Sequence, residues 1–213
     1  MRPGARVHTI VLIVLFMAGR AASEGAGEML EKLQRKFDSM QDASVSFKKH
    51  VVFGVTKSEQ DFTGTLFVKK GNKYRIESED QTIVTDGISV WTFSRANNQV
   101  FIDHYKEDPK SFSPDKILVN IPGRYGATLL GKETIGRVET SVLKLVPREE
   151  KSNIRWMKLW VDRDEWLMKR IQILDIGDNL TTYEIGSVKL NAGIPDSEFV
   201  FRPPADVEVI DVR

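Results

Sequence analysis

Few side chains in this sequence could do chemistry. Of its three histidines, His8 lies in an N-terminal apolar segment. His50 and His104 fall in different strand-like runs, with no second ligand at metal spacing, so a structural or surface role is expected for both. Two acidic clusters, Glu77-Glu79-Asp80 and Asp162-Asp164-Glu165, hold enough carboxylates for a glycosidase-type pair or a calcium loop. Both fall in turns, and neither has the alternating ligands and terminal glutamate of a calcium-binding hand, so solvated turns are expected. Neither a Gly-rich phosphate loop nor the serine motif of an α/β-hydrolase occurs. Without cysteine there is no thiolate chemistry, no disulfide and no cysteine to acylate. These residues predict a protein that is not an enzyme and uses no cofactor and no metal.

What the sequence has in excess is apolar surface on strands. Leu30, Leu33, Phe37 and Met40 recur at helical spacing and predict one amphipathic helix over Glu28 to Met40. The period then drops to two, with Ala43, Val45, Phe47, Val51, Phe53 and Val55 in a long first strand. Further strands are expected at Phe62 to Lys69, Lys73 to Glu77, Thr82 to Thr85, Ile88 to Ser94 and Gln99 to Tyr105. Their connections Gly71-Asn72, Asp86-Gly87 and Asn97-Asn98 tolerate positive φ, as hairpins require. A second set is expected at Leu129 to Ile135, Val138 to Val146, Ile154 to Val161, Trp166 to Leu174 and Leu180 to Leu190. Between the sets, Pro114, Pro122 and Gly123 flank a short helix at Asp115 to Asn120. A sheet of this size curls or splits. Trp91 and Phe93 share one face and Tyr74 and Ile76 another, while Ile154 to Val161 is apolar at both parities. Either an ordinary covered core or a cavity satisfies that pattern.

The N-terminus has the layout of a signal peptide. Arg2 and Arg6 precede an apolar run from Thr9 to Ala18 and the small residues Ala21-Ala22-Ser23, so residues 1–23 are expected to be cleaved and the protein to be exported. The remainder, 24–213, reads as a single domain with no linker or low-complexity tract. Formal net charge is +1, and the three arginines of the leader are its only charges. The mature chain is therefore slightly acidic and well mixed, with no stripe for nucleic acid.

Several of these strands carry motifs of a known family. They are Ala43-Ser-Val-Ser-Phe47-Lys, then Gly64-Thr-Leu-Phe-Val-Lys-Lys70-Gly-Asn-Lys-Tyr74-Arg-Ile76-Glu, then Asp86-Gly87-Ile-Ser-Val90-Trp91-Thr-Phe93. The last is Phe199-Val-Phe201-Arg-Pro203-Pro204-Ala-Asp-Val207-Glu-Val209. In their order and separation the chain resembles the LolA family of periplasmic outer-membrane lipoprotein carriers. The resemblance implies an α+β, mainly β fold, an incomplete antiparallel barrel of about 10–11 strands closed by a helical lid. It also implies a periplasmic monomer that takes acylated lipoproteins from an inner-membrane ABC-type release complex to an outer-membrane receptor. Phe47, Leu66, Val68, Tyr74, Ile76, Trp91 and Phe93 are expected to line the lipid-binding concave face, with Ile117, Leu118 and Ile121 covering it when empty. Where the family has Arg-Pro as lid latch, this chain has Lys70-Gly71, a point donor on a looser backbone. The alternative is a related half-barrel that senses lipoprotein or carries another lipid.

Overall fold

The computed structural model describes residues 25–105 and 121–213. The expected signal segment 1–23, the expected helix at Asp115 to Asn120 and the two residues Ile117 and Leu118 lie outside the described residues. Helix α1 spans Ala26–Ser39. Strands β1 (Asp42–Val52), β2 (Glu59–Lys69), β3 (Lys73–Ser78), β4 (Gln81–Thr85), β5 (Ser89–Ser94) and β6 (Gln99–His104) form a first antiparallel meander. After a helical turn α2 (Ile121–Arg124) come β7 (Tyr125–Ile135), β8 (Val138–Pro147), β9 (Ile154–Asp162), β10 (Leu167–Asp175) and β11 (Leu180–Leu190). A 3-10 turn at Asp196–Phe199 leads to β12 (Glu208–Asp211).

All twelve described strands belong to one sheet, ordered β12-β6-β5-β4-β3-β2-β1-β11-β10-β9-β8-β7. The two meanders are joined by the antiparallel pair β1 and β11. Among the described residues the sheet stays open, with β7 and β12 as its edges. The expected incomplete, mainly antiparallel sheet thus forms; the described residues give it twelve strands against about 10–11 expected, because β12 adds parallel to β6. Two boundaries also move. Trp166, read as the start of a strand, adopts φ 55° in the β9–β10 turn, where Lys32 of α1 lies 5.1 Å from its ring centroid. β7 begins at Tyr125 instead of Leu129. The hairpin expectations hold in detail, since Asn72, Asn98 and Gly87 take φ of 58°, 51° and 91°.

The sheet's inner face is covered unevenly. Met29, Leu30 and Leu33 of α1 bury against Leu143, Leu145, Met157, Leu159, Val161 and Ile171 of β8 to β10. Leu33 is wholly inaccessible. On the outer face of the same strands Trp160 is only 5 % exposed. It is roofed by Arg170, whose guanidinium stands 5.2 Å from the ring, and its Nε1–H donates to Glu133 Oε2 at 2.7 Å. That double coverage explains why β9 is apolar at both parities.

The outer face of β3 to β6 is covered instead by the C-terminal strap. Beyond β11 the chain bends at Asn191 (φ 53°) and Gly193 (φ 73°). There the buried Asp42 carboxylate accepts the backbone N–H groups of Ala192, Gly193 and Ile194 at 2.7, 3.2 and 3.3 Å. Next Asp196 bridges Lys69 and Lys73 at 2.6 and 2.8 Å, and Arg75 donates to the Glu198 carbonyl at 3.4 Å. Phe199 is fully buried, and Phe201 meets Phe93 at 5.8 Å between centroids. Hydrogen bonds and charge from Lys69 and Lys73 hold the Asp196 carboxyl at about 2, below its ordinary 3.8. A depressed folded-state value means that this contribution is present above about pH 4 and is lost as pH falls through about 2. The melting-temperature gap between wild type and Asp196→Asn should therefore be widest near neutrality and low salt and close by about pH 2, as scanning calorimetry would show. A gap independent of pH would mean that the bridge does not hold the strap.

Candidate functional site

Between the end of α1 and the inner face of β1 to β4, β10 and β11 lies an apolar cavity of about 310 Å³. Register builds its wall in rows, because directly opposed residues on neighbouring strands point to the same face. The innermost row is Leu190, Ala43, Val68, Tyr74 and Thr85, and the next is Val188, Val45, Leu66, Ile76 and Ile83. A third row runs Ile185, Phe47, Gly64 and Ser78, and a fourth runs Ile171, Tyr183, Lys49 and Phe62. Phe37 and Met40, from the last turn of α1 and just beyond it, line the opposite side.

The third row depends on a glycine. A Cβ at Gly64 would sit 2.5 Å from both Phe47 Cζ and the Glu77 carbonyl, so only glycine lets the Phe47 ring lie across β2. The ring edge is met by Tyr183 at 5.8 Å and 68°. Burial pushes the Tyr183 phenol up to about 12, so it stays neutral on this wall. Polar groups gather at one end of the cavity, where Lys49, Ser78, Asp80 and Gln81 form a rim. The Ser78 hydroxyl is shared between Asp80 Oδ1 at 2.5 Å and the Gln81 carbonyl at 3.2 Å.

Of the residues expected to line the concave face, Phe47, Leu66, Val68 and Ile76 do line this cavity. Tyr74 shares their face but is buried in the innermost row, beside an adjoining hollow of about 190 Å³ under the β2–β3 turn. The expectation for Trp91 and Phe93 is corrected. Trp91 pairs with Val84 and Phe93 with Thr82, which puts both on the outer face beneath the strap. Ile121 is also corrected, since it is fully buried with α1 and β7 to β9, its N–H donating to Gln34 Oε1 at 2.9 Å. Lys70 sits at the hollow, and its backbone N–H donates to the Gln41 carbonyl at 3.1 Å. Gly71 beside it takes φ 89°, a conformation that the proline implied by the family resemblance could not adopt.

Val45, Ile83, Ile185 and Val188 line the wall without having been singled out. Val45 was legible, being in phase with Phe47. The β11 residues were not, because a bulge opposite Ser46 inserts a residue and breaks their alternation. At that bulge the Ser187 N–H donates to Ser46 Oγ at 2.8 Å.

Among the described residues no group of three or more His, Cys, Asp or Glu side chains could hold a metal ion. His50 lies on the outer face, its Nδ1 2.8 Å from Asp61 Oδ1 across the β1–β2 pair. Among them, too, no helix is long and apolar enough to cross a membrane.

Comparison with known proteins bears on the family and the fold. The family described as outer membrane lipoprotein carrier protein LolA matches residues 38–202. An uncharacterized protein of Methanocaldococcus jannaschii is 27% identical over 210 residues, which is 96% of this chain but 59% of that protein. The chain thus spans about three fifths of the length of that relative. An outer-membrane lipoprotein carrier protein of Pasteurella multocida is 24% identical over 210 residues, covering 97% of each. Among solved structures, an uncharacterized conserved protein from Thermus thermophilus superposes with a TM-score of 0.58 at 13% identity, over 87% of this chain and 98% of that one.

Proposed function

This chain belongs to the LolA family of outer membrane lipoprotein carrier proteins, and from that premise we propose that it is an exported, periplasmic, monomeric carrier that shields the acyl chains of lipoproteins in the cavity of β1 to β4, β10 and β11. The observation that carries this reading is the wall itself. It is a curved sheet face of aliphatic and aromatic side chains, with its polar groups at one end and a helix end as the only other cover among the described residues. Catalysis has no part in the reading.

Energetics favours a relay over a protein that extracts lipid unaided. An anchor of roughly 45 methylenes at about 0.8 kcal/mol each costs roughly 36 kcal/mol to move from bilayer to water. Noncovalent sites saturate near about 20 kcal/mol. Loading therefore requires an energised complex, for which the family resemblance implies an inner-membrane ABC-type partner, and unloading requires a site with a better apolar environment, for which it implies an outer-membrane receptor. At about 310 Å³ the cavity lies at the low end of the roughly 300–1,000 Å³ of small-molecule sites. A whole anchor requires Phe37 and Met40 at the end of α1 to move away from β1 and β10.

Native mass spectrometry of the protein purified under mild conditions tests this. Acylated protein bound at one copy per chain is the expected result. Free lipid alone would replace the lipoprotein carrier with a lipid carrier, and a chain that stays empty when offered lipoprotein would overturn the proposal.

A further inference from the structure

Among the described residues that line the cavity, Lys49 is the one cation. Register turns it inward, in the row of Tyr183 and Phe62, while its chain neighbours Lys48 and His50 face outward. It is half-buried. Its ammonium stands 5.1 Å from the centroid of the Phe62 ring, and no described carboxylate pairs with it. Asp80, the one acid on the same rim, is turned to the Ser78 hydroxyl instead. The Lys49 stem lies along the alkyl wall while its ammonium has no described carboxylate partner, and a phenyl face satisfies that charge only weakly. A ligand that brings its own anion to this rim gains a charge-assisted hydrogen bond there.

We propose that Lys49 is a head-group anchor, and that besides the neutral, ester- and amide-linked acyl chains of a lipoprotein the cavity takes free acyl chains ending in an anion, either a carboxylate or a phosphate. The chain runs from the rim past Phe47 and Leu66 toward Met40, so it is seated tail-first with its head at Lys49, beside the Gln81 amide. This assignment rests on the acyl-chain cavity of the carrier reading and goes beyond it, adding a second class of ligand and its polarity of insertion.

The test is displacement of a neutral apolar fluorophore, N-phenyl-1-naphthylamine, from the mature protein by palmitate, hexadecyl phosphate and hexadecanol. At low salt, at least one of the two anions should bind about tenfold more tightly than the alcohol, and the tighter of them identifies the source of the head group. Lys49→Met should bring the anion-to-alcohol ratio to about one, and Lys49→Arg should preserve it. Both variants would be checked for native near-UV circular dichroism. A wild-type ratio of one, or a ratio that survives Lys49→Met, overturns the head-group assignment while leaving the carrier reading intact. Failure of all three amphiphiles to displace the fluorophore overturns both.

Discussion

Ile76→Glu should abolish acyl-chain uptake in a protein that still folds, and Phe93→Ala should do the reverse. Ile76 lies mid-wall, directly between Leu66 of β2 and Ile83 of β4. In the empty protein a carboxylate there reaches water through the open cavity, so folding tolerates it. Once alkyl chains fill the space, the charge must be desolvated without a partner or take up a proton, which costs several kcal/mol. About 3 kcal/mol already corresponds to a loss of more than 100-fold in affinity. Phe93 packs on Phe201 of the strap, with the Arg95 guanidinium 5.6 Å from its ring. Its truncation removes packing from the outer face, and for a half-buried phenylalanine about 2 kcal/mol of stability should go. Fluorophore displacement and urea unfolding, run on both variants, separate the two faces. Wild-type uptake by Ile76→Glu would mean that lipid does not touch this wall, and loss of uptake in a stable Phe93→Ala would mean that the outer face takes part in binding.

The same pair of residues marks how far the sequence could be read. Parity within a strand was plain, since Phe47 lies in phase with Val45, and Tyr74 with Ile76. Parity between strands was not. It depends on how many residues each turn consumes, and the turn around Asp86-Gly87 pairs Thr85 with Val90, which sends Trp91 to the face opposite Ile76. Composition carries no trace of that choice, because Trp91 and Phe93 suit a cavity wall as well as a face covered by the strap. β12 was hidden for a different reason. It has four residues, its Val209 is 47 % exposed, and it gains its place only by following the strap to the edge of β6. No local period announces a strand whose partner lies over a hundred positions away. The hairpin turns were legible because positive φ selects glycine and asparagine locally, before any tertiary contact forms.

The strap points to the second large effect, at a residue that no functional motif would single out. Asp42→Ala should cost about 3 kcal/mol or more and loosen the cavity from outside. Its carboxylate is 5 % exposed and accepts three successive backbone N–H groups where the chain leaves β11 for the outer face. Hydrogen bonds to a charged acceptor each contribute about 1.5–3 kcal/mol, and alanine would leave the three donors with no acceptor in a site too enclosed for all of them to find water. Damage there should spread in both directions. Ala43, the next residue, and Leu190, directly opposite it, floor the cavity, and beyond Ile194 the strap carries Asp196 to its lysines and Phe199 into the outer core. Hydrogen exchange on Asp42→Ala should show faster exchange both in the N–H groups of β12 and in those of Ala43 and Leu190, with β8 and β9 under α1 unchanged. Asp42→Asn keeps one acceptor oxygen and should fall between alanine and wild type. If exchange rose in β12 alone, the strap would be an independent appendage. A rise at both places would make the C-terminal segment a brace that sets the width of the cavity from the opposite side of the sheet.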